Sequence, residues 1–262
     1  MSWLFSNLDK QIVNKEGIDI QIVLDMSYSM IAEDIKPRRI DAAKTMLAKF
    51  VWEIHSDRVG IILFSWKPFQ SVPLTYDYNF LKNFISDISV DIVNQSTNTE
   101  LAGTALWDGL ILASDILSRD NPEREKVIIL ITDGEANKWV EPELALRLLK
   151  QEGIKTYTIW VWKWEETTIT IPVWNYVQKV LISWVDEEIL KKISNETGAA
   201  YFRADSSGTF QKILETIAQL EKTELEYEIY TSKKSHNILL LLIILSLLWT
   251  LSYIYFYKKI QI

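Results

Sequence analysis

The chain contains no cysteine, which excludes disulfides, zinc–thiolate sites and thiol catalysis, though it does not fix a compartment. Histidine is almost as scarce. His55 and His236 lie far apart, neither sits in a metal-ligand spacing, and each reads as a satisfied surface or helix-end residue. Positive charge is in deficit: 28 Lys and Arg stand against 35 Asp and Glu, a formal net charge of -7. No basic stripe outweighs the acids, which argues against a general nucleic-acid binder. The sequence also lacks a G-x-x-x-x-G-K-[ST] phosphate loop, a G-x-S-x-G nucleophile turn and a paired general acid and base. Catalysis is therefore not implied, and no enzyme activity is expected.

What the chain does have is apolar content. With 262 residues and 48% hydrophobic side chains it can bury one sizeable core, and two domains are not required. Strand-like and helix-like patterns alternate along it. Residues 18–25, 58–65, 126–132 and 155–161 read as strands, and 200–203 as a short one. The segment "KVIILIT" is almost wholly apolar, which suits a parallel strand covered on both faces. "KPFQSVPLT" carries two prolines and reads as an edge strand. Helices are predicted over 38–53, with Ile40, Ala43, Leu47 and Phe50 on one face, and over 80–88, 105–118, 142–152, 186–196 and 209–221. The alternation predicts an α/β fold, a doubly wound, mostly parallel sheet flanked by helices.

One stretch, "GIDIQIVLDMSYSMIA" over residues 17–32, ends an apolar strand on Asp25, Ser27 and Ser29 at every second position. In an open α/β sheet ligands sit beyond the carboxyl ends of the strands, where strand order reverses. Asp25 lies at one such end and Asp133, in "LITDGEAN", at another; Thr104, in "LAGTALWDG", opens a helix. All five are hard oxygen donors, a set that favours magnesium, calcium or manganese over zinc or copper. Singly each has an ordinary alternative. Asp25 and Ser27 suit a turn cap, Thr104 an N-cap, and Asp133-Gly134 a simple turn.

Taken together the residues resemble the von Willebrand factor A domains, whose metal-ion-dependent adhesion site uses D-x-S-x-S, a Thr and a later Asp. Here these are Asp25-Met26-Ser27-Tyr28-Ser29, Thr104 and Asp133. "DRVGIILF", "VPLTYDYNFL", "VIILITDGEAN" and "DEEILKKISNETGAAYFRA" resemble more closely a bacterial branch, the membrane-anchored Bat (aerotolerance) proteins. The resemblance spans residues 16–223. It implies that the two serines contact Mg²⁺ directly, or Ca²⁺ or Mn²⁺ in its place. Thr104 acts directly or in another state, and the aspartates act largely through water. It further implies a protein partner whose Glu or Asp completes the metal shell, with MoxR-type AAA+ ATPases and other Bat-like membrane proteins as candidates. A role in complex assembly or envelope stress tolerance is expected. The alternative is a Mg-dependent hydrolase or phosphatase using Asp25.

The domain plan is an N-terminal segment 1–15, the domain at 16–223, a linker at 224–237, a transmembrane helix at 238–257 and a tail at 258–262. "ILLLLIILSLLWTLSYIYFY" has no charge, and about 20 residues at 1.5 Å each span about 30 Å, enough for a bilayer core. Lys233, Lys234, Lys258 and Lys259 flank it equally, so orientation is not assigned, while Tyr253, Tyr255 and Tyr257 suit the interface. Localisation at the cell membrane through this single helix is expected. The first residues are too short and polar for a signal peptide. Members of the branch carry helices before the domain. Here either the gene start is misplaced or the C-terminal helix is the sole anchor.

Glycine, at 8 residues, is scarce where tryptophan reaches 11, and together they make about 7% of the chain, the usual share of glycine alone. "TALWDG", "YTIWVWKW", "FSWKPF" and "LISWVDEE" carry Trp where the family has Gly. This predicts that Trp66, Trp107, Trp160 and Trp162 are glycines in the cell, through UGA read as glycine. A genuine aromatic partner surface is the alternative.

Overall fold

The structure is a computed structural model. It describes residues 8–54, 56–90, 104–119, 124–133, 141–162, 167–173, 176–182, 187–204, 224–232 and 245–251. The chain forms two units, Lys15–Leu225, and Met1–Asn14 with Glu226–Ile262.

The larger unit is built on a six-stranded sheet. Its strands are β2 (Asp19–Asp25), β3 (Arg58–Phe64), β4 (Pro68–Thr75), β5 (Lys126–Thr132), β6 (Lys155–Val161) and β9 (Tyr201–Ala204), in the order β4-β3-β2-β5-β6-β9. β2, β3, β5, β6 and β9 run parallel, and β4 is antiparallel at the edge. Edge placement is what its prolines require, because a proline lacks the N–H that a central strand donates.

Successive side chains leave a strand on opposite faces, and here both faces are covered. Ile20, Ile22, Leu24, Ile129 and Ile131 meet α1 (Arg39–Glu53) and α2 (Tyr78–Asp87) through Ile40, Leu47, Phe50, Leu81 and Ile85. Val23, Ile62, Ile128 and Leu130 meet α3 (Leu106–Ser118), α4 (Pro142–Gln151) and α5 (Glu187–Glu196) through Leu110, Leu117, Leu149, Leu190 and Ile193. Each such aliphatic side chain, fully buried, contributes about 1.5–3 kcal/mol. Truncating one of them, Leu47→Ala for example, would cost about 2–5 kcal/mol. At Gly109 an added Cβ would stand 3.3 Å from Val23 and 3.6 Å from Phe64, so this glycine lets α3 lie close on β2 and β3.

The chain runs from β2 outward to β3 and β4, then returns to place β5 on the other side of β2. Strand order therefore reverses between β2 and β5, and a crevice at that point opens at their carboxyl ends.

Two features differ from the sequence reading. A hairpin of β7 (Thr167–Val173) and β8 (Tyr176–Ile182) follows β6, where the sequence reading predicts no element. Its "TTITIPV" is rich in β-branched residues, the chemistry of a strand. In the smaller unit, β10 (Glu224–Ser232) pairs with β1 (Leu8–Glu16), so the segment expected to be a linker from 224 to 237 is in good part a strand. The signal was there: Leu225, Tyr227 and Ile229 alternate with Glu224, Glu226 and Glu228, a period of two.

For the transmembrane expectation, residues 245–251 are helical and exposed, and among the described residues no helix is long and apolar enough to cross a membrane. The rest of 238–257 lies outside the described residues, as do His55, His236 and the helix expected at 209–221.

Candidate metal centre

β2 ends in Asp25, which is paired with Phe64 of β3 and lies one residue beyond the Leu24–Ile131 pairing with β5. The parallel register thus puts the last residues of β2, β3 and β5 on one rim. After Asp25 the chain turns sharply, and a short 3-10 turn runs from Tyr28 to Ile31. Asp25 fixes that turn itself: its Oδ1 accepts the Ser27 amide at 2.8 Å. Ser27 stands at the cap position of the 3-10 turn but makes no side-chain capping bond. Its hydroxyl lies instead 2.9 Å from the Ser29 hydroxyl. Two alcohol oxygens therefore face the same small volume, and the ordinary capping role is not how Ser27 is used.

The second oxygen of Asp25, Oδ2, accepts the hydroxyl of Thr132, the last residue of β5, at 2.6 Å. Asp133 follows at once. Asp25, Thr132 and Asp133 are fully buried. Burial, and next the negative charge of Asp133, push the Asp25 carboxyl up to about 7 despite the bonds it accepts from Ser27 and Thr132.

Thr104 reaches this end of the sheet from a third element. It is buried just before α3, and the next amide, Ala105, donates to the carbonyl of Ser65 after β3 at 2.7 Å. Phe64, the residue before Ser65, accepts the Met26 amide at 2.7 Å, so the loops after β2 and β3 are tied together. Asp25, Ser27 and Ser29 are joined by direct bonds, and Asp133 is joined to them electrostatically and through Thr132. Thr104 is held on the neighbouring strand end.

Three participants were missed. Arg39, at the start of α1, is fully buried. Its Nε and a terminal nitrogen donate to the two oxygens of Asp34 at 2.7 and 2.9 Å; its other terminal nitrogen donates to Asp133 Oδ2 at 2.9 Å and points at the Ser29 carbonyl at 3.5 Å. Arg39, Asp34 and Thr132 thus buttress the rim. A signal existed for the arginine: position 39 falls in line with Ala43, Leu47 and Phe50 on the apolar stripe of its helix, where a charge is out of place unless paired.

Trp107, Trp160 and Trp162 are buried, and Trp66 is half-buried. Trp160 donates its ring N–H to the Asp133 carbonyl at 2.8 Å, and the Arg39 guanidinium lies 4.0 Å from the Trp162 ring centre.

The donor set fits a hard divalent ion: hydroxyls, carboxylates and no sulfur or imidazole. Among the described residues no cluster of three or more acids or histidines suited to a metal is present; the described donors are the Ser27 and Ser29 hydroxyls beside Asp25 and Asp133.

The sequence model of the von Willebrand factor type A domain matches residues 19–216. An uncharacterized protein of Borreliella burgdorferi is 26% identical over 230 residues, covering 86% of this chain and 65% of that protein. The chain thus spans less than two thirds of the length of the curated relatives it matches. Among solved structures, an aerotolerance-related membrane protein from Bacteroides fragilis has 27% identity and a TM-score of 0.66, covering 78% of this chain and 99% of that one. The conserved hypothetical protein BatB from Bacteroides thetaiotaomicron has 28% identity and a TM-score of 0.67, covering 78% and 98%.

Proposed function

Because the chain belongs to the von Willebrand factor type A domain family, we propose that it is a metal-dependent binding module. Its ligation event is capture of a partner carboxylate by an ion held at the rim. The observation that carries this reading is the convergence of Asp25, Ser27, Ser29 and Asp133 where strand order reverses. Ser27 and Ser29 would hold the ion directly. Asp25, whose two oxygens already accept the Ser27 amide and the Thr132 hydroxyl, suits a role through water. Thr104 and Asp133 would complete the protein's share, and Mg²⁺, with Mn²⁺ or Ca²⁺ as substitutes, matches the donor chemistry. The ion supplies Lewis acidity toward an incoming oxygen. The chain's residues fix the geometry and leave the last ligand to the partner.

The resemblance to Bat proteins supports a membrane setting, with residues 238–257 as the anchor, and partners among AAA+ ATPases of the MoxR type and Bat-like membrane proteins. Phosphoryl transfer is less well served. It calls for a second carboxylate two residues after Asp25, and that position is Ser27.

The test is titration calorimetry of the full chain with Mg²⁺ and Mn²⁺, then capture of partners from native membranes with and without Mg²⁺. Ser27→Ala should lose the ion and the capture together. Capture that persists in Ser27→Ala and in EDTA would overturn the reading. Mg²⁺-dependent phosphatase turnover abolished by Asp25→Ala would establish the hydrolase in its place.

A further inference from the structure

Polar groups are also buried far from the rim, toward the N-terminal end of β2. Gln21 is the third residue of that strand and is 0% exposed. Among the described residues neither its Oε1 nor its Nε2 has a hydrogen-bond partner. Its register partner on β3 is Gly60, and the amide lies over that glycine: a Cβ added at Gly60 would stand 2.6 Å from Oε1 and 3.1 Å from Nε2. The missing Cβ is thus what gives the amide its place. A buried amide gives up its hydration, and in folded proteins such groups are nearly always repaired by a protein or water partner.

A second group of the same kind belongs to this end of the strand. Asp19 and Gln21 are alternate residues, so their side chains leave the same face, about 7 Å apart along the strand. Arg124 Nε is 2.6 Å from Asp19 Oδ1, and Arg124 Nη2 donates to the carbonyls of Ile18 and Ser56 at 2.9 and 3.2 Å. Arg124 Nη1 is buried as well, and among the described residues it has no partner. One acceptor, Gln21 Oε1, and two donors, Gln21 Nε2 and Arg124 Nη1, are therefore left over. Val23, the next residue on this face, already belongs to the apolar layer under α3.

We infer that internal water is bound here, donating to Gln21 Oε1 and accepting from Gln21 Nε2 and Arg124 Nη1. The leftover atoms select the ligand by their chemistry. A small anion would serve the two donors and leave Oε1 unmet. A small cation would serve Oε1 alone and lie near a guanidinium. Water both donates and accepts, and one molecule spans about 5.6 Å between two heavy atoms. Buried waters of this kind make about three hydrogen bonds and are costly to remove. The bound water extends the hydrogen bonding of the Asp19–Arg124 pair into the strand and ties the start of β2 to the segment before β5.

The experiment compares the full-length chain in detergent as wild type, Gln21→Met, Arg124→Lys and the double variant. Melting temperatures are read in EDTA, so that ion binding at the rim contributes nothing. Methionine keeps the length and removes both hydrogen-bonding atoms. With water bound, Gln21→Met strips partners from the water and from Arg124, and the melting temperature should fall by about 2–4 °C or more. An amide that is merely unsatisfied gives the opposite sign: its replacement relieves the desolvation, and a rise in melting temperature overturns the proposal. The double variant should lose less than the sum of the two single variants, because both act on one water-linked unit; strict additivity overturns the link to Arg124. Crystals of the wild type should show water density about 2.8 Å from both amide atoms of Gln21, absent in Gln21→Met. A dry amide, or anomalous signal there after bromide soaking, overturns the assignment to water. If Arg124→Lys fails to fold, the sign of the Gln21→Met shift and the density decide.

Discussion

Thr132, the last residue of β5, donates its hydroxyl hydrogen to Oδ2 of Asp25, the last residue of β2, across 2.6 Å of fully buried space. The two residues are 107 apart in sequence. The bond crosses the point where strand order reverses, and it holds one rim carboxylate in a single orientation. Replacing Thr132 with Val keeps the shape and removes the donor. Stability should fall by about 1–3 kcal/mol, the usual cost of leaving a buried acceptor without its donor. Mg²⁺ affinity should fall as well, since the bond favours the ionised carboxylate. Denaturant melts and calorimetric titration check both, and unaltered Mg²⁺ affinity would count against an ordered Asp25 in ion binding.

The pH dependence of the ion-free protein follows from Asp25. Its carboxyl is raised from 3.8 to about 7 on folding, by burial first and by Asp133 second. Between those values the folded chain holds more protons than the unfolded chain. Stability contributed by the protonated acid is therefore present in full below the lower value and lost as pH rises through the higher one. In EDTA the melting temperature should decline from about pH 4 to pH 7, on the order of a few kcal/mol in free energy. Mg²⁺ at about a hundredfold excess over its dissociation constant should restore about 2.7 kcal/mol near neutral pH. Proton release on Mg²⁺ binding, read by calorimetry in buffers of different ionisation enthalpy, should appear below pH 7 and fade above it.

The opposite end of β2 offers a control. Asp19, fully buried, is gripped by Arg58 and by Arg124, whose Nε lies 2.6 Å from Oδ1. Arg124 also donates to the carbonyls of Ile18 and Ser56 at 2.9 and 3.2 Å. Arg124→Met leaves Asp19 short of a partner and should cost about 3–5 kcal/mol. The seven residues of β2 separate this end from the rim by about 20 Å. Mg²⁺ affinity of the folded fraction should accordingly be unchanged; a parallel loss would mean that the rim senses the whole sheet.

The tryptophans call for a chemical measurement. The decoding reading expects peptides of the native protein to show glycine masses at positions 66, 107, 160 and 162. Tryptophan masses there end that idea and leave the buried indoles, including the Trp160 bond to the Asp133 carbonyl, as real parts of the centre.

The core strands were legible because a parallel strand buried on both faces has an unbroken apolar signature: β5 and β6 fall on the predicted residues. The proline-bearing edge strand was legible for the complementary reason, a missing donor. The hairpin after β6 and the pairing of β1 with β10 were not read. A two-stranded ribbon has no helix partner in the sequence to announce it, and pairing of β1 with β10 joins segments from opposite ends of the chain. β7 packs against the 3-10 turn Tyr28–Ile31, a contact between segments far apart in the chain.

Sequence alone determined the layered α/β arrangement and the positions of the oxygen donors at strand ends, since hydrophobic period and residue chemistry are local properties. It could not determine that burial and Asp133 raise the Asp25 carboxyl, that Thr132 orients it, or that a buried arginine reaches the same rim. Those depend on which strands become neighbours and on how far water is excluded from between them. Charges and hydrogen bonds act through distance in space, and only the closed sheet sets those distances.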